Sequence, residues 1–164
     1  MENLLAKKFY QQYLTMIEWV NIYVDMLTDE EYEMELSSGK NHGVWILGHM
    51  ITSDDDFSYY MGKGNYLFPE YQELFGQASK LRPVKDYPSV SILKEQWKSV
   101  CEKNKKIYES LSDYEFEEVP ENMTDEMKNY FLSKGKVVMA WQLHQMCHAG
   151  QLGILVSRTG RKMS

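Results

Sequence analysis

ENLLAKKFYQQYLTMIEWVNIYVDML, residues 2–27, contains neither glycine nor proline and places Leu5, Phe9, Tyr13, Met16, Val20, Tyr23 and Leu27 at spacings of three and four. That period puts the apolar side chains on one face of a helix, so the stretch predicts one long amphipathic helix with a buried stripe. Thr28-Asp29-Glu30-Glu31 follows in the pattern of a capping box, which starts a short helix to about Leu36. Residues 37–41, Ser-Ser-Gly-Lys-Asn, have turn composition, and a second long helix is expected from about His42 to Met61, ended by Gly62-Lys63-Gly64-Asn65. Tyr66 to Pro88 holds three of the 4 prolines and reads as a crossover connection, with two helical turns available in Pro69–Phe75.

Further along, Ser89 or Ser91 can cap a third long helix reaching Leu111, with Ile92, Leu93, Trp97, Val100, Ile107 and Leu111 directed inward. A second connection, Ser112 to Gly135, includes a short helix from Thr124 to about Leu132. The last long helix runs from Lys136 to Arg158, and Gly160 supplies a left-handed cap. No segment alternates with period two between hairpin turns, and there is no internal repeat. The expected fold is therefore all-α: a four-helix bundle with long crossover connections and short accessory helices, forming one domain over residues 1–164.

Bulk composition agrees. Of the 164 residues, 43% are hydrophobic and 26% charged, outside the regime of disorder and enough for a core. The net charge of −6 repels phosphate backbones, so nucleic acid is not an expected partner. The lysines between Lys94 and Lys106 are spread round a helix and read as a solvated face. Cys101 and Cys147 form neither a disulfide framework nor a CxxC motif, which fits a reducing cytoplasm. The longest apolar stretch, near Val44–Ile51, falls well short of the ~20 residues that span a bilayer, and the N-terminus lacks the layout of a signal peptide.

The chemistry concentrates in 4 histidines. His144 and His148 are four apart and project from one helix face, in a stripe with Trp141 and Gln151 that faces inward or rims a cavity. His49 lies among apolar neighbours in Trp45-Ile46-Leu47-Gly48-His49-Met50-Ile51. Neutral imidazoles are the commonest ligands of Zn, Ni and related ions, although an HxxxH pair alone also occurs where histidines merely hydrogen-bond. His42, at a helix start, reads as an exposed or capping residue. Several sharper assignments fail. A zincin needs Glu where Gln145 stands, a di-iron bundle needs Glu-x-x-His pairs, and haem attachment needs Cys-x-x-Cys-His. Cys147 points about 100° round the helix from His148 and does not join the set.

Trp45-Ile46-Leu47-Gly48-His49-Met50 on the second helix, and His144-Gln145-Met146-Cys147-His148-Ala149-Gly150-Gln151-Leu152 on the last, resemble the corresponding motifs of the DinB-like (DinB/YfiT) metalloenzyme family. The resemblance implies a bundle with long crossovers in which His49, His144 and His148 form the metal triad. It also implies a divalent ion, Zn or Ni by ligand type, and a homodimer. Family members similar to this chain act as metal-dependent thiol transferases or isomerases, implying a small-molecule thiol and an electrophilic substrate as partners. A non-enzymatic metal- or ligand-binding stress-response bundle explains the same residues. The sequence departs from the family pattern at Gln145, where an acidic residue is common, and at Ala149, often basic. No general base is evident beside the triad. Thr52, Ser53 and Asp56 are candidates for contacts behind the ligands or to a substrate, against the plainer reading of exposed polar surface.

Overall fold

The computed structural model describes residues 3–161, and its regular structure is helical throughout, with no strand among the described residues. The α-helices are α1 (Leu4–Met26), α2 (Gly43–Tyr60), α3 (Tyr71–Phe75), α4 (Val90–Ser110), α5 (Asp125–Phe131) and α6 (Lys134–Arg158). Short 3₁₀ turns at Glu31–Glu33, Val84–Asp86 and Tyr114–Glu117 punctuate the connections. The expected start of the first helix at Glu2 lies outside the described residues.

The caps explain the boundaries. Ser89 accepts from the Ile92 N–H at the head of α4, and Thr124 from Met127 at the head of α5. Ser133 accepts from Lys136, so α6 begins at Lys134, before the expected Lys136. The capping box at Thr28 forms, with Thr28 N–H donating to Glu31 Oε2 over 2.8 Å, but only a single 3₁₀ turn follows where a helix to Leu36 was expected. Gly160 has the left-handed φ of 77° that the cap of α6 requires.

Four long helices make the bundle, in the order α1, α6, α2, α4 around the ring. Cross-helix bonds give their directions. Lys94 Nζ donates to the Leu27 carbonyl and Trp97 Nε1 to Asn21 Oδ1, while Tyr13 reaches Cys101, so α1 and α4 are antiparallel. Asp54 meets Asn104 and Phe57 stacks on Tyr108, so α2 and α4 run parallel, which obliges the 61–89 connection to travel the bundle's length. His49 meets His144, and the Ser53 carbonyl meets Trp141, setting α2 against α6 in opposite directions.

The core consists mainly of aromatic and branched side chains, including Trp97, Tyr13, Tyr32, Phe57 and Phe75, each almost wholly enclosed. Burying such large side chains contributes the main favourable energy of the fold. Two expectations fail by a small rotation of a helix. Leu5 is exposed and Ala6 takes the buried position in α1, whereas in α4 Ile92 is exposed and Val90 and Leu93 lie inside. A spacing of three and four fixes a face only to within one neighbouring position at a helix end. Among the described residues no helix is long and apolar enough to cross a membrane.

Candidate metal centre

α2 is buried over nearly its whole circumference between α4, α6 and the α3 segment, and its first turns carry His49. Gly48 lets α3 approach: a Cβ there would stand 2.2 Å from the Phe75 ring. That close approach delivers the Phe75 carbonyl to His49 Nδ1 at 2.7 Å. A carbonyl only accepts, so Nδ1 carries the ring proton and Nε2 is left with a lone pair. Trp45, one turn earlier, lies nearly parallel on the His49 ring, with centroids 4.7 Å and planes 11° apart. Its indole N–H is held by Ser79 Oγ at 3.1 Å.

From α6, His144 and His148 approach His49 from one face. His148 Nδ1 donates to Gln151 Oε1 over 2.8 Å, which again turns Nε2 into a lone pair. His144 Nε2 lies 3.1 Å from His148 Nε2 and 3.3 Å from His49 Nε2. The ligand atoms all fall within 4.8 Å of one another, and no fourth His, Cys, Asp or Glu joins the group among the described residues. His49 is buried and the other two are half-buried, at the rim of the inward face of α6.

The electrostatics reinforce the geometry. Burial, and behind it the neighbouring imidazoles, hold His144 down to about 4. Burial lowers His49 too, against the raising effect of its bond to Phe75, and lowers His148 against that of Gln151. All three are neutral at pH 7. A single proton on His144 can satisfy only one of its two neighbours, whereas a cation satisfies three converging lone pairs together. The donor set therefore fits a divalent metal ion of the borderline class.

A family model described as the DinB superfamily matches residues 13–152, which include all three histidines. The chain belongs to the DinB superfamily. No curated protein matches it closely enough to count as a relative. Within this DinB-superfamily bundle, the two departures at Gln145 and Ala149 face the interior and not the metal centre. Gln145 is fully buried and donates to the Met50 carbonyl and to Asp54 Oδ1, and Ala149 is also fully buried, where a basic side chain would be enclosed.

Other sequence expectations need correction. His42 is not exposed: it is 4% accessible, and its Nδ1 accepts from the Trp45 N–H, so the capping alternative holds. Thr52 and Ser53 are not surface polar groups either. Both are buried and return their hydroxyls to the α2 carbonyls of Gly48 and His49. The Ser53 carbonyl in turn accepts from Trp141 Nε1 at 2.6 Å, bracing the helix pair one turn from His144. Asp56 is half-buried, accepts from Gln72 Nε2 at 2.7 Å, and is raised by burial to about 6. Cys147 is exposed, as its position on the helix requires. Sequence reasoning missed Phe75, whose part is played by a backbone carbonyl with no side-chain signature. The stacking of Trp45 was equally hidden, although its place one turn before His49 was a signal that could have found it.

Proposed function

We propose that the protein binds one divalent metal ion, Zn or Ni, through Nε2 of His49, His144 and His148, and uses it to activate a small-molecule thiol for attack on an electrophilic substrate. The observation that carries the reading is the convergence of three imidazole lone pairs, two of them fixed by carbonyl acceptors at the opposite ring nitrogen. A bound divalent cation lowers the pKa of a coordinated thiol or water and leaves a nucleophile at neutral pH.

The chain's own residues supply position and enclosure. Phe75 and Gln151 hold two rings in the ligating tautomer, and Trp45 covers one face of His49. With three protein ligands and no fourth beside them among the described residues, the set matches that of reactive sites, which favours catalysis over a purely structural ion. A transfer assay with a low-molecular-weight thiol and a soft electrophile, run before and after metal removal, tests the activity. Turnover that ignores the metal would overturn it.

Self-association belongs to the same proposal. Met139, Leu143 and Ile154 of α6 and Trp19 and Ile22 of α1 stand exposed, and a cleft of about 350 Å³ between the two helices is lined by Trp19, Leu143 and Met146. Covering these side chains in a homodimer removes the largest apolar groups on that face from water. Sedimentation equilibrium at micromolar concentration is expected to give twice the chain mass, and a pure monomer would refute the dimer.

A further inference from the structure

On the interior side of α6, four oxygens face no donor: Asp54 Oδ2 of α2, Asn104 Oδ1 of α4, and Gln142 Oε1 and Gln145 Oε1 of α6. None of the four residues is more than 3% exposed. Their amide nitrogens are committed elsewhere. Gln145 Nε2 donates to Asp54 Oδ1 at 2.6 Å and to the Met50 carbonyl at 3.0 Å. Asn104 Nδ2 donates to the Asp54 carbonyl at 2.8 Å, and Gln142 Nε2 to that of Phe9 at 3.1 Å. The cluster has acceptors in excess and is short of hydrogen. Such a deficit is costly in a buried site and native structures seldom leave it uncorrected.

No unpaired counter-charge bears on Asp54 among the described residues. From α1, Tyr13 gives its hydroxyl to the Cys101 carbonyl at 3.2 Å. From α4 come Cys101, Tyr108 and Lys103; Tyr13, Cys101 and Tyr108 are all held neutral by burial, with the charge of Asp54 acting in the same direction. Lys103, the one cation bearing on Asp54, is paired with Asp55, the next residue of α2. From α6 the neutral amide of Gln145 meets the carboxyl.

We propose that Asp54 is an internal proton-binding site, a neutral carboxylic acid in the folded bundle whose Oδ2–H donates to the amide oxygen of Gln145 or Asn104. One proton then corrects two defects, since it removes the uncompensated charge and makes the orphaned carboxyl oxygen a donor to an orphaned acceptor. Burial raises this carboxyl to about 7, against the opposing bonds from Gln145 and Asn104, which agrees with the hydrogen count. Asp54 stands apart from the histidines, so the inference is independent of metal binding.

The folded-state affinity for the proton exceeds the unfolded one. The stability from Asp54 is therefore complete below the ordinary carboxylate value of 3.8 and is lost as pH rises towards about 7, levelling above it. The test compares the wild type with Asp54→Asn, an isostere that brings its own N–H donors, both kept in a chelator so that any metal is absent from each. Between about pH 5 and 7 the wild-type folding equilibrium is expected to fall relative to the variant by about tenfold per pH unit, with no further change above. Effects of the histidines are common to both proteins and cancel. Infrared spectroscopy of the folded protein gives a second readout. The carbonyl band of a protonated carboxylic acid should be present at about pH 6, vanish at about pH 8.5, and persist at about pH 6 in Asp56→Asn, which removes the other raised carboxyl. Parallel stability curves, or a band missing from the wild type or from Asp56→Asn, would overturn the proposal. The infrared measurement stands even if Asp54→Asn fails to fold.

Discussion

The histidine group and the Asp54 cluster are two answers to one problem, acceptors brought together without donors, and they lie on adjoining sides of the same two helices. Around His49, nitrogens carry the lone pairs, and the second nitrogens of His49 and His148 are tied to Phe75 and Gln151, which turns both Nε2 atoms towards His144 Nε2. In the core, oxygens from three helices carry them, while the amide nitrogens beside them are spent on the carbonyls of Met50, Asp54 and Phe9. Basicity and access separate the outcomes: imidazoles at the edge of the core, two of them half-buried, suit a borderline metal ion, whereas an enclosed carboxyl suits a proton.

The comparison breaks most directly at His144 and His148. Replacing both by Ala should reduce bound metal, measured by elemental analysis of purified protein, from about one equivalent per chain to none. Unchanged stoichiometry would remove the rim site from the comparison altogether. His49→Ala should weaken binding and abolish most of the fall in melting temperature that a chelator causes in the wild type, because His49 joins α2 to the pair on α6 and binding free energy across helices adds to stability. If His49→Ala keeps the wild-type metal content and chelator response, His49 is a buried core residue and nothing more.

Gly48→Ala probes the support behind the ligand. The new methyl would displace Phe75, costing about 1–3 kcal/mol in chemical denaturation, as over-packing does. Shifting the carbonyl behind His49 should lower metal affinity on the order of 10–100-fold. A stability loss with unaltered affinity would mean that the Phe75 bond does not orient the ring. The pH response sharpens the contrast with Asp54, because its sign is opposite. The three histidines are lowered in the fold, so the stability they contribute is present above their ordinary value of 6.5 and is lost as pH falls, with His144 titrating last at about 4. Because the fold displaces protonation of these imidazoles below 6.5, proton competition should release the metal only at a pH lower than 6.5, which dialysis at stepped pH followed by metal analysis would locate. The smallest effect belongs to His42→Ala. Loss of its cap should cost about 1 kcal/mol by denaturant titration and leave metal content unchanged.

Much of the fold was legible because long helices announce themselves by period. The four long segments and the crossover ahead of Ser89 could be read from apolar spacing and from the prolines. Leu5 and Ile92 were misplaced because a helix's rotation near its ends is settled by tertiary packing. The HxxxH pair was visible as a pair, and His49 stood out as a mid-helix histidine among apolar neighbours that the family resemblance then implied as third ligand, since a partner on another helix leaves no local pattern. Phe75 and Asp54 were illegible for the same reason. Their partners lie 26 and 91 residues away, and one of the groups is a carbonyl that every residue possesses.

The separation of the proposed ligands along the chain would also set an order of assembly. His144 and His148 are four residues apart, so a single turn of nascent helix already presents both to an ion. His49 is 95 residues from His144 and arrives only after α2 and α6 have docked, a closure that carries the loop entropy of a long segment. On the proposed ligand set, metal captured early would be held by two ligands, and the third would mark completion of the bundle. In a stopped-flow refolding experiment the loosely and fully coordinated forms would follow one another in time, with the slower phase tracking helix docking.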